Sequence, residues 1–295
     1  MPSLFWLCVA IRIVANPLSN VFQKVLTREH AAPLVIVGIT HGLLSLVCLP
    51  PLLTQPLPVK SAFWTNMAVS AVLAVAGNAL IVQALKISDL SFLGPVNAYK
   101  SVVSLIPGII LLHEIPSAAS LAGLALIIAG SYLIVDRDAS TSARGVFSRF
   151  FSDRGVQYRL GGLVFSAVEA VFLKRALAAS SPLPTFAVWS LAGFLVSAIA
   201  VFFTSRTALK SQLQILQIHK HKCLALAATT GLMQLCTLVI LTQFQVAPAL
   251  ALFQTSTLLS VFLGRHVFRE PHFAKRLLGS AVMVAGAVLI ILSRD

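Results

Sequence analysis

Three ionisable side chains lie near the middle of apolar runs of helical length: Arg12, Lys100 and Glu169. Each is about eight to ten residues from the start of its run, which is roughly 12 to 15 Å along a helix. If these runs cross a bilayer, each central charge costs about 2.5 to 3.5 kcal/mol even on the mild insertion scale. We therefore expect each charge to face other helices, a partner or water, and all three are candidate functional residues.

Polar side chains share helix faces with these charges. Arg12, Asn16 and Asn20 recur every four residues, so they lie on one face of a helix. In lipid, such a stripe must point at other helices or at a cavity. Cavity lining is favoured for the stripes around Arg12 and Lys100, whereas hydrogen bonds between helices are favoured for the stripes with Gln234 and Gln254. The predicted substrate-binding residues are Arg12, Asn16, Asn20, Asn78, Asn97, Tyr99, Lys100, Ser104, Gln234 and Gln254.

Glu169 is the acidic side chain placed deepest in a predicted helix. A carboxylate removed from water holds its proton more readily, which suits Glu169 to coupling proton movement with solute movement. The alternative is a permanent ion pair with Arg12 or Lys100 that only holds helices together. Both interpretations remain open at the level of sequence.

Composition indicates a polytopic membrane protein. Of 295 residues, 58% are hydrophobic and 11% are charged, and the mean hydropathy is +0.91. The net charge of +13 comes mainly from connections between apolar runs, where Lys and Arg set topology and meet anionic lipid. We therefore expect membrane lipid as a partner and no nucleic acid. The four cysteines lack CxxC or metal-ligand spacing, so we expect neither a metal nor a cofactor.

The chain contains an internal repeat. Glu114 and Glu270, Gly123 and Gly279, and Gly130 and Gly286 pair at one constant spacing, without a gap. We predict an all-α fold with ten transmembrane helices in two five-helix repeats, residues 1–135 and 160–295, joined by a basic loop, 136–159. Because five is odd, the two repeats must be inverted in the membrane, with the binding site at their interface.

An apolar helix, a glutamate in the turn after it and two glycines in a second apolar helix resemble the EamA-like branch of the drug/metabolite transporter superfamily. The resemblance covers nearly the whole chain. Where EamA-like proteins often have a Glu-Pro pair, this chain has Lys100 and Ser101, so roles tied to that pair do not carry over. A lysine there resembles the sugar-nucleotide and phosphate translocators, which implies that Lys100 contacts a carboxylate or phosphate of the substrate, or pairs with Glu169.

Two features of the repeat have structural interpretations. Glu114 and Glu270 are predicted to cap the N-terminus of the helix that follows each of them. The paired glycines permit close packing of the fifth and tenth helices, and they are candidates for a homodimer contact.

The chain has no HExxH or GxSxG motif, so we expect no enzyme. The sequence and the resemblance together favour a multi-pass transporter of the bacterial inner (plasma) membrane. It would move a small-molecule solute, polar or amphipathic and amino-acid-like or otherwise organic, in the direction of efflux. Alternating access would be driven by a proton gradient or by exchange. The alternative is a flippase or translocator of a lipid or a lipid-linked headgroup.

Overall fold

A computed structural model describes residues 2–54, 56–97, 99–100, 103, 117–134, 152–205, 209–243, 246, 249–250 and 253–292. Within these ranges the regular structure is entirely helical, as predicted. In the first half the helices are α1 (Pro2–Arg28), α2 (Pro33–Val47), α3 (Leu49–Thr54), α4 (Ser61–Ile87), α5 (Leu90–Val96) and α6 (Ala118–Ile134). Pro33 stands at the first position of α2, where the missing N–H group costs no hydrogen bond.

In the second half the helices are α7 (Arg154–Leu177), α8 (Pro182–Ser205), α9 (Leu209–Ile218), α10 (Lys220–Gln243), a 3-10 turn (Phe253–Thr255), α11 (Ser256–Phe268) and α12 (Phe273–Leu292). Asp153 caps α7, because its carboxylate accepts a hydrogen bond of 2.9 Å from the backbone N–H of Val156. This cap corrects the predicted connecting loop, which was expected to continue to Arg159. Arg159 lies inside α7 instead.

Among the described residues, the helices long and apolar enough to cross a membrane are α1, α4, α8 and α10. Shorter apolar helical segments are α2 and residues Leu121–Gly130 of α6. These features fit a polytopic membrane protein. The count of ten crossings stays a prediction.

The two halves pack through equivalent contacts. The first helix of each half lies against the fourth helix of the other, so α1 contacts α10 and α7 contacts α4. The remaining main contacts join equivalent helices, α2 with α8, α5 with α11, and α6 with α12. The contacts of α1 with α10 and of α7 with α4 are equivalent to each other, and each of the other contacts joins a helix to its own equivalent. The halves are therefore arranged about a pseudo-twofold axis, and their interface runs through the centre of the bundle.

The repeated glycines lie where α6 and α12 touch. A Cβ atom on Gly130 would stand 2.7 Å from the carbonyl oxygen of Gly279, and one on Gly286 would clash with that of Gly123. Close helix packing was thus predicted correctly. The partner helix belongs to the same chain, however, so these glycines are not exposed for a dimer contact. The homodimer remains a prediction that these residues do not support.

Candidate functional site

A cavity of about 140 Å³ lies between the two halves. Its lining comes from α1, α4 and the residues just after α5 in the first half, and from α7, α8, α10 and the residues shortly before and at the start of α11 in the second. Nine predicted residues line it: Arg12, Asn16, Asn20, Asn78, Asn97, Lys100, Glu169, Gln234 and Gln254. Tyr99 is buried and does not line the cavity. Ser104 lies outside the described residues. The structure gathers the predicted residues, and their binding role stays a prediction.

Arg12 is fixed by contacts to the second half. Its side chain is 8% exposed, and its Nε donates a hydrogen bond of 2.8 Å to Oγ1 of Thr237 on α10. The guanidinium lies 4.4 Å from the centre of the Phe253 ring, a cation–π geometry. One turn along α1, Asn16 donates a hydrogen bond of 3.1 Å to Ser256. The polar face of α1 therefore points into the interface between the halves.

Arg159 is a second buried arginine, which the sequence analysis did not select. It is 2% exposed, and its Nε donates a hydrogen bond of 2.9 Å to Oδ1 of Asn97. The residue looked like part of a basic loop because several arginines precede it in the chain. The signal that could have found it is Asp153, a preferred N-cap residue, which starts the helix before Arg159.

Lys100 and Glu169 are both half-buried and face the same cavity. Lys100 interacts electrostatically with Glu169, Arg12 and Arg159. Ser70 donates a hydrogen bond of 3.2 Å to Oε1 of Glu169. Within the described ranges, no direct ion pair joins Glu169 to Lys100 or Arg12. The permanent ion pair considered from the sequence is thus not formed in this structure.

The model of the EamA-like transporter family matches residues 3–136 and 153–292. The chain belongs to the EamA-like transporter family. The two matches correspond to the two halves, and the second begins at the residue that caps α7. The family is part of the drug/metabolite transporter superfamily, so the chain is a membrane transporter by family.

A solved structure described only as "Crystal structure of protein" has the same fold. It aligns with a TM-score of 0.65 over 99% of this chain and 98% of its own, at 17% identity. Among curated proteins there is no match. This EamA-like protein therefore shares its fold with a solved structure, and the comparisons indicate no substrate.

In this EamA-like transporter Glu270 has a different role from the one predicted. Its carboxylate accepts hydrogen bonds from the backbone N–H groups of Leu90 (2.8 Å) and Ser91 (2.7 Å), at the start of α5. It caps a helix of the other half and not α12, the helix that follows it. The reason lies in packing: α11, which ends just before Glu270, lies against α5. Glu114 lies outside the described residues.

Lys24 completes this contact between the halves. Its Nζ lies 2.7 Å from Oε1 of Glu270, and the two side chains are only 6% and 3% exposed. Burial alone would raise the pKa of Glu270, but the charge of Lys24 and the hydrogen bonds from Lys24 and Ser91 outweigh it, so that this pKa is below its usual value of 4.5. The pair therefore joins α1 of the first half to the turn between α11 and α12.

A second carboxylate, Glu29, forms an exposed ion pair. Its oxygens lie 2.8 Å from Nζ of Lys222 and 3.3 Å from Nε2 of His219. The hydrogen bond from Lys222 lowers the pKa of Glu29. Among the described residues, no group of three or more His, Cys, Asp or Glu side chains could hold a metal ion.

Proposed function

We propose that this EamA-like protein is a secondary active transporter that exports small polar or amphipathic metabolites across the cytoplasmic membrane. The observation that carries the proposal is the polar cavity between the two halves. Charged and amide side chains from both halves line it, although burying such groups is costly in a membrane protein. In transporters built from inverted repeats, the substrate site lies at this interface.

Alternating access follows from the way the halves are joined. Because their contacts are equivalent, a rocking movement of one half against the other can exchange the open side for the closed side. Lys24 is twelve residues beyond Arg12 on α1, which is about 18 Å along the helix. The Lys24–Glu270 pair therefore holds the halves together just beyond the end of the cavity that Gln23 lines, and it must separate when that end opens.

The chain has no P-loop for nucleotide binding, so energy would come from an ion gradient or from exchange of solutes. Glu169 is our proposed proton-coupling residue. It lines the cavity, accepts a hydrogen bond from Ser70, and forms no direct ion pair with Arg12 or Lys100 in the described part of the chain. A carboxylate in this position can take up a proton without first breaking a salt bridge.

Solute counterflow in proteoliposomes tests the transport proposal. Vesicles loaded with one unlabelled solute are placed in the same labelled solute, across amino acids, sugars, polyamines, carboxylates and phosphate esters. We expect labelled solute to accumulate for one class. If no soluble compound accumulates or raises the melting temperature, and a fluorescent lipid is moved between leaflets instead, the protein is a flippase and the proposal is wrong.

Glu169→Gln separates the two roles of this residue. If Glu169 couples protons, the variant keeps exchange of solute and loses the acceleration caused by a pH gradient. Ser166→Ala is the matched control, because Ser166 also lines the cavity from α7 but does not titrate. A variant that keeps its response to the pH gradient would contradict the assignment.

A further inference from the structure

We infer that Arg12 and Arg159 bind the anionic groups of the substrate, and that the substrate is a small organic anion bearing two negative charges on carboxylate or phosphate oxygens. This inference rests on the proposed function and specifies its substrate class. Both arginines line the cavity and are more than nine-tenths buried.

Each guanidinium is held by one hydrogen bond and has donors left over. Nε of Arg12 donates to Thr237, and Nε of Arg159 donates to Asn97. In both side chains the buried Nη1 atom has no hydrogen-bond partner among the described residues. Because an arginine cannot give up its proton, an unpaired buried N–H group of this kind calls for an acceptor. The hydrogen bond from Nε thus fixes the position of each guanidinium, while its Nη1 group remains available to a ligand.

Other unpaired atoms in the cavity are also mainly donors. The amide nitrogens of Asn20 and Gln234 have no partner among the described residues, against one such acceptor, Oε1 of Gln23. An amide group can turn and exchange its oxygen and nitrogen, so only the two guanidinium groups fix the sign of the ligand. They favour an acceptor-rich, negatively charged group, and a carboxylate or a phosphate fits the planar fork.

The charges of the lining residues set the charge of the ligand. The described lining contains three cationic side chains, Arg12, Lys100 and Arg159, and one carboxylate, Glu169. While Glu169 is ionised, the formal excess is two positive charges, and charges that are buried or half-buried interact more strongly than charges in water. A solute with two negative charges neutralises the site, whereas a neutral or cationic solute leaves the excess unpaired.

The two arginines come from equivalent helices of the two halves, at different distances from the helix start. Arg12 lies on α1, the first helix of the first half, and Arg159 lies on α7, the first helix of the second half. A solute with an anionic group at each end could therefore contact one guanidinium from each half. Such a solute would draw the halves together around it, which links recognition to closure of the cavity.

Thermal-shift titrations of the purified protein test the inference. The probes are succinate and glycerol 3-phosphate, with the neutral compounds succinamide and glycerol and the cation putrescine as comparisons. We expect the two dianions to stabilise the wild-type protein and the others not to. Arg12→Gln and Arg159→Gln should each weaken dianion binding about tenfold or more, since each removes a charged hydrogen-bond donor.

The matched control is Arg175→Gln, which removes a positive charge from an exposed position on α7. It should leave dianion binding unchanged. Arg159→Lys covers the case in which Arg159→Gln fails to fold, because lysine keeps the charge but lacks the planar fork. It should bind more weakly than the wild type, with a normal melting temperature in the absence of ligand.

The outcomes separate the two proposals. The inference is wrong if a neutral or cationic solute stabilises the protein and the dianions do not. It is also wrong if both glutamine variants bind the dianions as tightly as Arg175→Gln does. In either case the transporter proposal stands. If no soluble probe binds or undergoes counterflow, and only lipid stabilises the protein, the transporter proposal fails and the inference fails with it.

Discussion

Replacing Glu270 by glutamine removes one charge from a buried ion pair and keeps the shape of the side chain. In the wild type the carboxylate accepts three hydrogen bonds: 2.7 Å from Lys24, 2.8 Å from Leu90 and 2.7 Å from Ser91. Glutamine offers one acceptor oxygen and turns an NH₂ group towards the remaining donors. Lys24, which is 6% exposed, would then keep only Asp89, 3.9 Å away, as an ionic partner among the described residues.

The expected cost follows from burial. Removing one partner of a buried ion pair typically costs about 3 to 5 kcal/mol, because the other charge is left uncompensated. With roughly 2 to 4 °C per kcal/mol for a large domain, we expect Glu270→Gln to lower the melting temperature by about 10 °C. Differential scanning fluorimetry of the purified protein in one detergent measures this shift.

Glu29→Gln is the matched control. It breaks an ion pair of nearly the same length, 2.8 Å to Lys222, in which the side chains are 38% and 35% exposed. Exposed pairs contribute little, so the melting temperature should scarcely change. The double variant Lys24→Met/Glu270→Gln, which also removes the charge of Lys24, should melt above Glu270→Gln. If Glu270→Gln lowers the melting temperature no more than Glu29→Gln does, the buried pair does not hold the halves together.

The effect of Glu270 should also depend on pH. Its pKa is lower in the folded protein than its ordinary value of 4.5. Its stabilising effect is therefore complete above pH 4.5 and is lost as the pH falls through the lower folded value. The difference in melting temperature between the wild type and Glu270→Gln should be constant at neutral pH and should shrink below pH 4.5. A difference that grows on acidification would show that the sign of this pKa shift is wrong.

Two further variants test the packing and capping described above. Gly130→Ala places a methyl group 2.7 Å from the carbonyl oxygen of Gly279 and should destabilise the protein by about 1 to 3 kcal/mol. Its control is Gly38→Ala, which should be tolerated because the nearest neighbour of the new methyl group is a side chain at 3.5 Å. Equal melting temperatures of the two variants would contradict the close contact of α6 and α12. Asp153→Ala removes the cap of α7 and should lower the free energy of unfolding by about 1 kcal/mol, measured by chemical denaturation. Asp153→Asn should retain most of that stability, because asparagine also caps helices well. An alanine variant as stable as the wild type would contradict the cap.

Helical spacing predicted most of the candidate site. Arg12, Asn16 and Asn20 line one cavity because residues four apart share a helix face, and a charge in an apolar run must find a polar surface. Tyr99 was predicted with them because it adjoins Lys100 in the sequence. Adjacent residues on a helix point in directions about 100° apart, however, so they do not share a face.

Two other residues depended on information outside their own sequence neighbourhood. Whether Arg159 is buried depends on where α7 begins, which a single cap at Asp153 decides. Glu270 was predicted to cap the helix that follows it, which is wrong: it caps α5, more than a hundred residues away along the chain. Local pattern gives the chemistry of a capping group, whereas tertiary packing selects its partner.

The glycine contacts between α6 and α12 are reciprocal. Gly130 meets Gly279 while Gly286 meets Gly123, and in the repeat Gly123 corresponds to Gly279 and Gly130 to Gly286. This is the pattern of an isologous interface, in which one surface binds a second copy of itself. A chain of half this length could build the same contact by pairing with a copy inserted in the opposite orientation. Fusing two such copies would fix their stoichiometry and let each diverge, so that one cavity can carry an arginine on each side at positions that are similar but not identical.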